Sequence, residues 1–156
     1  MKGFSFYIYL FNQFVFMYHF IQKFHSGWAY LALLLLVVAI INSWIGANSK
    51  KGFAKKDRML ALLALISIHI QLLVGLILYF ISPLGRQALG NLSDPALRLT
   101  ALEHPLINII AIVLITIGWS KHKKATTDAA KFKSIAIFYT IGLVLILARI
   151  PWNLWL

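Results

Sequence analysis

Seven residues of this 156-residue chain stand out, because a nonpolar setting makes them costly: His25, His69, Gln71, Glu103, His104, Asn108 and Arg149. Each lies within or at the end of a long apolar run, where polar and ionisable groups are expensive and mark pairing or function. Three are histidines, and imidazole ligates haem iron, copper and zinc. The chain contains no cysteine, which excludes disulfides, thiolate metal sites, iron–sulfur clusters and thioether-attached haem. Two kinds of centre remain. One is a non-covalent haem b gripped by two imidazoles from facing helices; the other is a trigonal histidine site for a single small ion.

Depth along the helices weighs on that choice. His69 lies about 16 Å along its helix from Arg58, near the middle of a hydrocarbon core of about 30 Å. His104 stands about 25 Å from Lys121, and His25 stands higher still. A single small ion needs tighter convergence than this spread allows, whereas a macrocycle needs only two of the three. In an up-down bundle the first and third helices are diagonal, which favours His25 with His104. The second and third are neighbours, so His69 with His104 needs a tilt or a kink at Pro105. The candidate metal ligands are therefore His25, His69 and His104, for one haem b per chain. Gln71 and Asn108 are placed to hydrogen-bond the pocket, and Arg149 to face a propionate. Glu103 and Arg149 lie at similar depth, so an ion pair between the third and fourth helices accounts for both more simply. His19 and His122 read as surface residues. Small residues, among them Ala29, Ala32, Gly75 and Gly142, fit either close helix packing or room for a flat ligand.

The elements that must position these groups follow from composition. Sixty-one per cent of residues are apolar or aromatic, 12% are charged, and mean hydropathy is +0.82. A water-soluble domain carries about a quarter charged residues, so the class is an all-α integral membrane protein. Spans of about 20 apolar residues are needed to cross a bilayer, and four occur, over about 26–47, 59–83, 95–120 and 134–153. Ser93-Asp94-Pro95 forms a start signal for the third. The net charge is +11. Ten of the fifteen cations fall in two loops: Lys50, Lys51, Lys55, Lys56 and Arg58, then Lys121, Lys123, Lys124, Lys131 and Lys133. The positive-inside rule makes those loops cytoplasmic and puts both termini on the other side. The charge excess is thus a topology signal, and nucleic acid is not an expected partner.

Residues 1–24 form an aromatic segment ahead of the four-helix domain, 25–156. One continuous helix from residue 3 to 46 would reach about 65 Å, twice the hydrocarbon thickness. The segment is therefore expected to be an interfacial helix that bends near Ser26-Gly27, or an extension upstream of a start at Met17.

The segments His25-Ser26-Gly27-Trp28, His69 to Phe80 and Glu103-His104 resemble a family of small bacterial four-helix membrane proteins labelled cytochrome b-like. The loop Ser120-Lys121 with Lys123-Lys124-Ala125-Thr126, and Ile150-Pro151-Trp152, resemble it too, so the likeness covers about residues 17–156. It implies b-type haem, electron transfer and the bacterial inner membrane, and the family's histidines fall on His25, His69 and His104. The expected function is a haem b-binding, cytochrome-like electron-transfer protein. The alternative is a non-catalytic membrane subunit or anchor without a cofactor. Expected partners are the bilayer, a redox partner or larger membrane complex, and further copies of the chain.

Overall fold

The computed structural model describes residues 2–155, all helical or loop, with no strand among them. Four helices are long and apolar enough to cross a membrane: α1 (Lys2–Ala47), α2 (Lys55–Ile81), α3 (Pro95–Lys124) and α4 (Asp128–Ala148). A short helix, α5 (Trp152–Trp155), follows. Helix α1 packs on α2 and α4, and α3 packs on α4 and α2. The result is a four-helix up-down bundle, a multi-pass membrane protein with lipid against its exposed apolar flanks, such as Leu34, Leu73 and Val113. Short polar connections enforce neighbouring antiparallel helices.

Helix starts are set by side chains that satisfy the free backbone N–H groups of the first turn. Asp94 accepts from Ala96 N at 2.8 Å and Leu97 N at 3.2 Å, as its place before Pro95 predicts. Thr127 accepts from Ala130 N, so α4 starts at Asp128, ahead of the apolar run that begins at Ser134. It also ends earlier, at Ala148, because Pro151 cannot continue a helix and biases the residue before it away from helical geometry.

Helix α1 departs from expectation. It runs for 46 residues without a break at Ser26-Gly27, about 69 Å at the helical rise. Tertiary contacts flank that pair and keep the helix continuous there. The Trp28 indole donates to Ser67 O (2.9 Å) and the Trp155 indole to Ser26 O (3.1 Å). One turn or two further out, the Tyr18 hydroxyl meets Ser82 Oγ.

The interior is layered from α1 residues Ala32, Leu36, Ala39 and Ser43, with Ala61, Ala64, Ala111, Ile115, Ile135 and Tyr139 from the other helices, all nearly inaccessible. These include the small-residue stripe of the first span and the Ala111–Ile115 stripe of the third. Tyr139 crosses the centre, its hydroxyl donating to Ala61 O at 3.0 Å. A Cβ on Gly118 would collide with Phe138, and one on Gly142 with Ile115, so both glycines serve close helix approach.

Candidate functional site

Pro105 shapes the site. It has no N–H, and its ring crowds the carbonyl four residues back. The chain answers with a π turn over Leu99–Glu103, in which the His104 N–H reaches Leu99 O, five residues back. Such turns are rare and concentrate at functional sites. Here the turn sits one residue before His104.

His104 is held on several sides. Its Nδ1 donates to Arg149 O at 2.8 Å, while Asn108 Nδ2 donates to His104 O at 2.6 Å and stands 3.1 Å from Nδ1. A carbonyl accepts only, so this bond puts the proton on Nδ1 and leaves the lone pair on Nε2. Across the bundle, Gln71 Nε2 donates to His25 O at 3.0 Å and lies 3.2 and 3.3 Å from the two ring nitrogens of His25. The His25 ring lies over Gly75, where a Cβ would stand 3.0 Å from Cε1. The centres of the His25 and His104 rings are 6.5 Å apart, with their planes at 83°. The diagonal pair of helices thus brings two imidazoles together at the end of the bundle opposite the basic loops.

Both rings border a cavity of about 210 Å³. Its deep part is apolar, with Ala32, Ile68, Leu72, Ile112 and Ile146; Gln71 and Asn108 lie beside the histidines, and Tyr18, Gln22, Ser82 and Thr100 also border it. This is the pattern of a ligand pocket, apolar walls with a few converging polar groups. Gln71 Oε1 is buried and has no hydrogen-bond partner.

Three expected members stand elsewhere. His69 does not join the other two histidines. Its Nδ1 donates to Leu65 O of its own helix (2.7 Å), Nε2 lies 3.4 Å from Thr116 Oγ1, and the ring borders a shallow depression with Ile109, Val113 and Ile117. A bond to its own backbone satisfies it on the lipid-facing flank of α2 and α3. Among the described residues no group of three His, Cys, Asp or Glu side chains could share a metal ion. Glu103 and Arg149 lie outside the cavity lining. They form the interhelical ion pair (3.4 Å), and Glu103 also takes Arg98 Nε at 3.1 Å, a partner five residues back that only the π turn brings alongside. Arg149 contributes its carbonyl to the site, because the chain leaves the helix there.

Of the two histidines expected at the surface, His19 is exposed, whereas His122 is only 2% exposed. The loop after α1 brings Phe53 against it; its ring packs on Trp119 (4.3 Å) and Phe53 (5.7 Å), and Nδ1 donates to Trp119 O. A run of lysines around it hid this from the sequence. Nearby, buried Asp57 accepts from Lys51 Nζ, Asn42 Nδ2 and Ala54 N, closing the basic end.

No protein-family model matches the chain, and no curated protein or solved structure is detectably similar to it.

Proposed function

We propose that this protein is a haem b-binding, cytochrome-like electron carrier of the bacterial inner membrane, with His25 and His104 as the residues that would hold the haem. The observation that carries the reading is the 6.5 Å between the two ring centres at the cavity. A metal–imidazole bond is about 2 Å and the ring centre lies about 1 Å behind its nitrogen, so two rings sharing one metal stand about 6 Å apart. Bound haem supplies one-electron chemistry at its iron.

The chain's own residues do the rest. Arg149 O fixes the His104 tautomer that presents Nε2, as an outer-shell partner of a metal-bound histidine does. Asn108 and Gln71 anchor the backbone carbonyls of His104 and His25. Ala32, Ile68, Leu72 and Ile112 keep water from the deep part of the pocket. The basic loops put the opposite end, with this site, on the periplasmic side together with both termini. Electrons would therefore be exchanged with a partner near that surface.

Protein purified in detergent should carry about one haem per chain, with a Soret band and a reduced alpha band. A colourless, iron-free preparation would sink the proposal. His104→Ala should lose the haem, and His122→Ala, at the far end, should keep it.

A second reading is a membrane anchor or subunit of a larger complex. It is favoured by the outer part of α1, where Phe11, Phe16 and Phe20 are each more than 60% exposed. Stoichiometric co-purification with other subunits, without any cofactor, is its signature.

A further inference from the structure

The two histidines are bonded differently, and we propose that His104 is the permanent ligand while His25 is exchangeable, opening the metal to a small neutral ligand such as carbon monoxide. This rests on the haem reading above. His104 has its ring Nδ1 on Arg149 O and its backbone N–H on Leu99 O, and Asn108 Nδ2 stands at its carbonyl and 3.1 Å from the same Nδ1. A ring whose Nδ1–H is tied to a carbonyl is oriented for ligation by Nε2 and is made more basic.

His25 has no such carbonyl. A single amide nitrogen, Gln71 Nε2, stands at nearly equal distance from both ring nitrogens. That nitrogen has two hydrogens, and one is used by His25 O. The other is shared along the Cε1 edge of the ring and selects neither tautomer. The same amide holds Oε1, buried and without a partner. A half-turn of the amide would let Oε1 accept an Nδ1–H from His25, at the expense of the bond to His25 O. That half-turn would leave Nε2 free as a ligand at the cost of one hydrogen bond, and the arrangement seen, with the amide against both ring nitrogens, is the released one. Gly75 supplies the space beside the ring, since a Cβ there would press on Cε1.

Exchange is balanced without a redox step. Carbon monoxide would take the place that the His25 nitrogen gives up on ferrous iron, one coordinate bond replacing the other. The iron keeps its oxidation state, and the released ring returns to the Gln71 amide.

The test uses the full chain in detergent, reduced and exposed to carbon monoxide. The expected result is a shifted Soret band in the unaltered protein. His25→Ala should keep haem within about tenfold of the original affinity and turn high-spin, whereas His104→Ala should lower affinity by about 100-fold or more. Circular dichroism checks that both variants stay helical. A haem-loaded protein whose reduced spectrum ignores carbon monoxide overturns this inference and leaves the haem reading intact. So does an equal loss of haem in the two variants. A second readout needs no haem: nitrogen-15 chemical shifts should give His104 the Nδ1–H tautomer and His25 a mixture. A single fixed Nδ1–H tautomer at His25 overturns the asymmetry directly.

Discussion

Towards the basic end, small residues are met by large ones: Phe132 fills the space over Gly46, and Phe138 that over Gly118. At the opposite end Ala29, Ala32 and Gly75 border open space, and what leans over Gly75 is the His25 ring. The histidines divide in the same way. His122 is wedged between Trp119 and Phe53, whereas His25 and His104 face one another across a cavity. Gly46, Gly118 and Gly75 thus record close approach, and the neighbour decides whether that approach is sealed or left hollow. One half of the bundle is filled by side chains, and the other encloses a cavity.

The sharpest way to break this contrast is to remove a ring from each half. His104→Ala should abolish the Soret band while helicity is retained, and His122→Ala should leave the band unchanged; equal spectral loss in both would erase the distinction. Next in size is overpacking. Gly142→Leu drives a side chain into Ile115 and should destabilise the bundle by about 3 kcal/mol, read as a lowered unfolding midpoint in detergent. Gly75→Ala should cost under about 1 kcal/mol and move the haem spectrum instead, since only the His25 ring must give way. Tyr139→Phe removes one buried bond through the centre and should cost about 1 kcal/mol, with the spectrum unchanged. The smallest effect belongs to Glu103→Gln. Its pair with Arg149 is half exposed (side chains 34% and 48%), so a change below about 1 kcal/mol is expected. A larger change would mean that the Arg98–Glu103–Arg149 cluster holds this end of the bundle more firmly than exposed ion pairs do.

Much of this frame was legible in the residues. Spans follow from hydrocarbon thickness, and the diagonal relation of the first and third helices follows from short loops, which is why His25 and His104 emerge as a natural pair. Pro105 announced a disturbance beside His104. Rotation about the helix axis was harder to read. His69 sits deeper than the other two and on another azimuth, and a backbone carbonyl one turn earlier suffices for it. His122 sits in a lysine run that reads as solvated, yet a loop returns an aromatic over it. The role of the Arg149 carbonyl has no side-chain signal at all, because any residue leaving the helix there would offer one. The bend expected at Ser26-Gly27 failed because local propensity yielded to indole bonds from residues 28 and 155, the latter 129 positions away.

The continuity of α1 has a mechanical meaning. Residues 2–47 are a single rod, and His25 sits near its middle. A flexible joint at Ser26-Gly27 would have isolated the aromatic segment from the bundle. Without one, Phe11, Phe16 and His25 share one continuous helix, and a twist at the first two would bear on the His25 ring against the bonds at Tyr18, Ser26 and Trp28. His104, on a different helix and pinned by Arg149 and Asn108, would not follow. Whatever grips the outer half of α1 therefore also holds the handle that sets the angle between the two imidazoles.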